Sequence, residues 1–548
     1  MSRRQFLTLV ATILGSTVVF LDTTVVNVAL PAIAEGLDAG LAGQQWVVEA
    51  YLVALVSLLL VGGSLGDQFG RRRMFVAGLI GFGVMSALCA IAPSAEFLIG
   101  ARALQGVAGA LLVPGSLAIV AATFEGAARG RAVGTWTAWT GIATVLGPAG
   151  GGALIGALSW RAIFWVNLPL IAVTVALTVR SVDESRDPEA FHGIDWGGIL
   201  LSAAGLGGPV FALIEQPSHG WGDPLVLIPL ILGVACFVAF LVHEARARHP
   251  MLELALFRIR NFWVANLTTL AAYAGLIAGF FFIGLFLQQV GGYSPLEAGL
   301  ATTPISLLLF ALSPRFGRLA SSTGPRLPMS VGPVTAGIGL FLLTRVDSGA
   351  AYAADVLPGV LVFGLGLAAT VAPLTATVLD SVDERHVGVA SGANNGIARV
   401  AGLLAIAVLG AVISARFGSV IDEQLGPIQP PAVAAAASQA KEKPLSVPST
   451  KLLSPAQAER VHTAADDASV SAFHLGLGIA GALMIAGGLV SAFGIVNPRQ
   501  RFAAVPAGGA VAAGECGHGA DCDCGEGFPV AAAEEAPASE ETPATESA

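Results

Sequence analysis

FLTLVATILGSTVVFLDTTVVNVALPAI, residues 6–33, carries one ionisable side chain, Asp22, in a run that is otherwise almost wholly apolar. Residues 6–21 hold no charge, so the stretch has the length and composition of a membrane-spanning helix. A carboxylate inside such a span costs several kcal/mol and is kept where it faces a cavity, a partner or a proton path. Asp22 is therefore a functional candidate before any other residue is considered.

The same apolar pattern recurs along all 548 residues. Hydrophobic residues make up 55% of the chain and charged residues 12%. That charged share is about half that of a soluble domain, and the mean hydropathy is +0.76. Apolar blocks predict spans near 6–33, 46–66, 74–93, 97–121, 132–157, 162–180, 195–215, 224–243, 263–290, 298–314, 326–345, 353–379, 387–414 and 472–496. The expectation is an all-α, polytopic membrane protein with fourteen spans.

Lys and Arg set the expected orientation. Arg3, Arg4, Arg71, Arg72, Arg73, Arg129, Arg131, Arg315, Arg318 and Arg326 fall on one side, while the short loops on the other hold little beyond Arg161, Arg345 and Arg416. Both termini are expected in the cytoplasm. Residues 417–470 read as a long external loop with an Ala/Pro-rich centre, and residues 497–548 as a disordered cytoplasmic tail. The net charge of −9 comes largely from these two segments, so it points to no nucleic-acid partner. MSRRQFLTLV has the order of a twin-arginine export signal, but no small-residue cleavage site closes the apolar run, and a first span is expected.

Two segments echo each other. GGSLGDQFGRRR (62–73) lies between the second and third spans and SPRFGRLASSTGPR (313–326) between the tenth and eleventh. Both are Gly- and Arg-rich hairpins, as expected of a transporter built from repeated halves. Nothing matches a catalytic constellation or a nucleotide loop, so neither an enzyme nor an ATP-driven pump is expected.

LDTTVVNVALPAI (21–33), GSLGDQFGRRR (63–73), RALQGVAGALLVPGSLA (102–118) and GPAGGGALIG (147–156) occur in this order, followed by WRAIFWVNLPL (160–170) and GYSPLEAGL (292–300). On these motifs the chain resembles the major facilitator superfamily, in its fourteen-span drug:proton antiporter branch (the EmrB/QacA-like group). The resemblance implies a fold of two six-helix bundles, residues 1–180 and 261–496, with two additional transmembrane helices and linkers in 181–260. It implies proton-coupled efflux of amphiphilic or cationic compounds by alternating access across a bacterial plasma membrane. The proton gradient would be the energy source, with no cofactor and a monomeric chain. A dedicated exporter of an endogenous metabolite, antibiotic or lipid intermediate would use the same motifs. A membrane sensor or metal-handling scaffold is the rival of a different class.

Asp22, Arg102 and Glu49 are the proton-coupling candidates. A lone guanidinium in the fourth span wants a carboxylate partner, and the resemblance assigns Arg102 a part in proton transfer; a permanent structural ion pair is the plainer alternative. Glu49 is a second titrating group, an attractor for cations, or an interfacial side chain that simply reaches water. Gly66, Asp67, Gly70, Arg71 and Arg72 form the expected cytoplasmic latch, and positive-inside anchoring accounts for the same arginines. Gly147, Pro148, Gly151 and Gly152 make the antiporter motif, where small residues let helices approach closely. Gln105, Asn394, Asn395 and Arg399 are expected to line the cavity or hold the halves together. Cys516, His518, Cys522 and Cys524 in the tail are soft ligands at short spacing, but they match no structural zinc module, and no metal site is expected.

Overall fold

The computed structural model describes residues 1–124, 126–186, 195–247, 253–347, 349–383, 386–426, 429–442, 444–445 and 453–497. The described residues form helices and short connections with no strand. In order, the first group is α1 (Arg3–Leu37), α2 (Leu41–Phe69), α3 (Arg71–Ala90), α4 (Ala95–Thr123), α5 (Gly126–Ala157), α6 (Ala162–Trp165) and α7 (Asn167–Ser181). Then come α8 (Trp196–His219) and α9 (Pro224–Arg246). The last group is α10 (Arg260–Gln289), α11 (Pro295–Thr323), α12 (Arg326–Leu343), α13 (Leu357–Asp380), α14 (Val387–Leu425), α15 (Pro431–Glu442) and α16 (Pro455–Gly494).

Ser2 starts α1 by accepting from the Gln5 N–H, while the Gln5 side chain accepts from the Ser2 N–H, a reciprocal cap. The helix then runs 35 residues, through Pro31, because its apolar residues surround it on all sides. Thirteen described segments are long and apolar enough to cross a membrane, with α6 and α7 together making one of them. α5, of 32 residues, is a further helix of spanning length.

α9 shows what solvent these helices face. Only 11% of its apolar window is buried in the protein, and Ile228, Ile231, Leu232 and Val238 are each at least half exposed. An apolar face of that extent is stable against lipid rather than water. The chain is a multi-pass membrane protein.

Within the first group α2 and α3 pack on α4, and α1 on α5 and α7; within the last, α12 packs on α13 and α16, and α10 on α14 and α16. The two groups meet along α5 with α11, α2 with α14 and α1 with α10. α8 and α9 pair with each other, and α8 also lies against both α2 and α14. The inserted pair therefore touches both halves.

The segment expected as an external loop is largely helical. α14 continues to Leu425, α15 covers 431–442 and α16 begins at Pro455. The alanines read as a linker are the best helix formers, and the proline at 431 opens a helix instead of breaking one. Val433, Ala436, Ala437 and Ala440 repeat at helical spacing and are buried with Val420, Ile421, Val461, Ala464 and Ala468. Arg416 Nε donates to Ser471 Oγ at 2.9 Å and Gln424 Nε2 to Asp467 Oδ2 at 2.9 Å, which ties α14 to α16 beyond the apolar layer. The tail from 498 onward, with Cys516, His518, Cys522 and Cys524, lies outside the described residues.

Candidate functional site

Asp22 sits inside the first half, 3% exposed, where α1 meets α3, α4 and α7. Arg102 Nη1 donates to Asp22 Oδ2 at 2.5 Å and to Gln105 Oε1 at 2.8 Å. The (i, i+3) spacing on α4 is what puts Arg102 and Gln105 on one face. Asp22 Oδ1 accepts from Gln105 Nε2 at 3.3 Å and from Asn167 Nδ2 at 3.3 Å. Asn167 Nδ2 also donates to Ser86 Oγ at 3.0 Å. Arg102 Nε donates to the Val47 carbonyl at 3.1 Å, and its guanidinium lies 4.2 Å from the Tyr51 ring centroid.

Every member of this network is buried, and the two charges compensate each other, as burial demands. The arrangement is closed and charge-neutral. Adding a proton to Asp22 would leave Arg102 as an uncompensated cation in an apolar interior, which favours any rearrangement that gives it another acceptor. Gln105 belongs to this network and is fully buried. Asn167, Ser86 and Tyr51 were not singled out from the sequence. Their signal was available: Asn167 is a lone amide in WRAIFWVNLPL, and polar groups inside spans are rarely idle.

Glu49 does not reach water. It is fully buried, and neither carboxylate oxygen has a hydrogen-bond partner among the described residues. Around it on α2, Gln45 Nε2 donates to the Ile406 carbonyl of α14 at 2.7 Å, and Trp46 Nε1 donates to Glu215 Oε1 of α8 at 2.8 Å. Glu49 thus faces the junction of α2, α8 and α14.

Asn394 donates to Asn266 Oδ1 at 3.1 Å and to Thr269 Oγ1 at 2.7 Å. It ties α14 to α10 within the second half, not one half to the other. Asn395 is exposed and donates to the Ser391 carbonyl of its own helix at 3.0 Å. Arg399 lies within electrostatic reach of Tyr51 and Tyr273 and is the member of this group that looks from one half toward the other. A cavity of about 440 Å³ lies among α2, α8, α9, α10 and α14. None of Gln105, Asn394, Asn395 and Arg399 lines it.

The GPAGGG run packs α5 on two sides at once. A Cβ on Gly147 would stand 2.1 Å from Thr24 Oγ1 and one on Gly151 2.5 Å from Val25 Cγ1, both on α1. A Cβ on Gly152 would stand 2.4 Å from the Pro295 carbonyl oxygen of α11, and one on Gly299 2.3 Å from the Pro148 carbonyl oxygen. The backbones touch across the seam between the halves. Gln288 Nε2 donates to the Val28 carbonyl at 3.1 Å at the same end, so the halves are closed there.

The hairpin of Gly66, Asp67, Gly70, Arg71 and Arg72 is held from within its own half. Gly70 has φ of +111°, which excludes most side chains, and its N–H donates to the Gly66 carbonyl at 3.0 Å. Asp67 pairs with Arg71 at 2.7 Å. Arg72 N–H donates to Glu184 Oε1 at 3.1 Å, which caps α3 from the segment that follows α7. The second hairpin repeats the device. Gly324 has φ of +89°, and Arg326 N–H donates to Asn497 Oδ1 at 3.0 Å, capping α12 from the segment that follows α16. The helix ends match too: Arg4 Nε donates to the Ser181 carbonyl at 3.2 Å and Arg260 Nε to the Gly494 carbonyl at 3.0 Å.

The family model described as Major Facilitator Superfamily matches residues 12–406. Multidrug resistance protein Stp of Mycobacterium tuberculosis is 35% identical over 426 residues, 78% of this chain and 79% of that one. The tetracenomycin C resistance and export protein of Streptomyces glaucescens is 31% identical over 485 residues, 88% of this chain and 90% of that one. Multidrug efflux pump LfrA of Mycolicibacterium smegmatis is 33% identical over 425 residues, covering 77% and 84%. Among solved structures, a bacterial homologue of the human lysosomal transporter Spinster, inward-facing and unoccupied, aligns with a TM-score of 0.59 at 18% identity, covering 89% of this chain and 98% of that one.

Proposed function

The chain belongs to the major facilitator superfamily, and on that premise we propose that it exports amphiphilic, often cationic compounds across a bacterial plasma membrane in exchange for protons. Both termini face the cytoplasm, so the end closed by the GPAGGG seam is the outer one. The proton gradient supplies the energy, and the chain works as a monomer.

The buried Asp22–Arg102 pair is the observation that carries proton coupling. A proton entering from outside neutralises Asp22 and frees Arg102, so the two protonation states favour different arrangements of the half they hold together. Coupling requires only that substrate and proton have unequal affinities for those arrangements. Glu49, buried with no hydrogen-bond partner among the described residues, is the second acidic group, and Arg399 extends a positive potential across the seam. The export direction is supported by the relatives named for multidrug resistance and efflux. A dedicated exporter of an endogenous metabolite, antibiotic or lipid intermediate is the second reading, favoured by the relative that spans 88% of this chain and is named for tetracenomycin C resistance and export.

The test is dye transport in inverted membrane vesicles energised by a proton gradient. Wild type is expected to accumulate the dye, and a protonophore to abolish accumulation. Asp22→Asn, of equal size but with one accepting oxygen in place of two, is expected to lower gradient-driven uptake per folded transporter by about tenfold or more, equivalent to about 1.4 kcal/mol. Uptake by Asp22→Asn that still matches wild type and still responds to the gradient would overturn the coupling role.

A further inference from the structure

The 440 Å³ cavity is walled by three parts of the chain. Ser57 comes from α2 of the first half, Trp263 and Gly396 from α10 and α14 of the second, and Leu206, Phe237 and Phe240 from the inserted pair α8 and α9. The volume is that of a drug-sized site, and the lining is mostly apolar and aromatic, with Ser57, Ser202 and Asn266 as its polar side chains. Among the described residues, no charged side chain lines it.

Two further observations distinguish it from a plain lipid crevice. Ser57, only 5% exposed, lines the cavity, and its hydroxyl has no hydrogen-bond partner among the described residues. A buried hydroxyl without a partner is costly, and a ligand group would supply one. Glu49, likewise buried and unpartnered, is seven residues from Val56, which also lines the cavity. Seven residues are about two helical turns, so the two share one stripe of α2, roughly 10 Å apart.

We propose that this chamber, completed by α8 and α9, is a subsite for the apolar body of a hydrophobic monocation whose charge is directed along the α2 stripe toward Glu49. It rests on the export function proposed above and adds the substrate class and the role of the inserted helices. Because its walls come from both halves, the chamber changes shape whenever the halves move. A ligand in it therefore has unequal affinity for the two states, which is what coupling needs.

Gly396 makes the test clean. A Cβ added there meets no heavy atom within 4 Å, so a side chain grows into open space without disturbing backbone. Gly156 on α5 also has open space and lies away from the chamber, so Gly156→Leu is the control. Binding of radiolabelled tetraphenylphosphonium to the full chain in lipid nanodiscs is measured for wild type, Gly396→Ala, Gly396→Leu and Gly156→Leu. Affinity is expected to fall in steps, by about tenfold or more for Gly396→Leu, with Gly156→Leu unchanged. Equal affinity in wild type and Gly396→Leu overturns the chamber, and so does a wild type that fails to bind the probe. If Gly396→Leu instead sheds tightly held phospholipid with the probe's affinity unchanged, the chamber is a lipid seat and the proposal fails. Dye efflux measured in parallel separates the two ideas: efflux that persists while the chamber fails leaves the export function standing, and efflux absent from wild type removes that function itself.

Discussion

Three acidic or amide side chains, similar on paper, have opposite energetic standing. Asp22 has both carboxylate oxygens engaged, Oδ2 by Arg102 and Oδ1 by Gln105 and Asn167. Asp22→Asn leaves Arg102 buried without its anion, so the variant is expected to lose about 3–5 kcal/mol of stability, read as a lower melting temperature in detergent. Glu49 has no partner among the described residues, and Glu49→Gln is expected to melt at or above the wild-type temperature while binding of cationic substrates weakens. A melting temperature that falls as far as that of Asp22→Asn would count against an unpartnered Glu49. Asn167→Ala is expected to cost about 1–3 kcal/mol, because it removes a donor to Asp22 and leaves Ser86 short of one. Asp22 and Arg102 stood out in the sequence because charges in apolar runs are rare. Asn167 and Tyr51 did not, since an amide and a phenol cost less to bury and so advertise themselves less. The division of Asn394 to a brace and Arg399 to the seam depends on which way α14 is turned, and adjacent polar residues do not reveal that.

At the scale of elements, α5 tests how close two helices must come. Gly152→Ala would place a methyl group 2.4 Å from the Pro295 carbonyl oxygen, so α5 and α11 must separate. The outer end is then expected to open, seen as a longer spin-label distance between the tips of α5 and α11, with slower efflux. Gly150→Ala, two residues away with nothing within 4 Å, is expected to stabilise the helix by about 0.5–1 kcal/mol and leave that distance alone. An unchanged distance in Gly152→Ala would show that the seam has slack. Spans were legible from apolar length, and the motif from its glycines. Which glycine faces which helix was not, because GPAGGG offers a small residue on nearly every side. The helices within 417–470, the end of α14, α15 and the start of α16, were missed for a different reason: the alanines and prolines read as a loop by composition, while the 3.6-residue spacing in α15 encoded a buried face.

Over the whole molecule, each half is fastened by its own tail. Glu184 caps α3 and Asn497 caps α12, each beside a glycine of positive φ. Glu184→Ala is expected to speed amide hydrogen exchange in the first turn of α3 without affecting α12, and Asn497→Ala to do the reverse, each costing about 0.5–2 kcal/mol. Exchange that rises in both halves for either variant would show that the caps are not independent. The repeat was visible as two Arg- and Gly-rich hairpins, but its agents, a glutamate and an asparagine beyond the last helix of each half, share no sequence pattern.

Between two such self-fastened bodies lies α8, held to α2 by the bond from Trp46 to Glu215 and resting on α14 as well. A strut bolted to both leaves of a hinge limits how far the hinge swings. Every cycle must slide or unbolt one of its faces, so the inserted pair would set the stroke of this machine as well as wall its chamber.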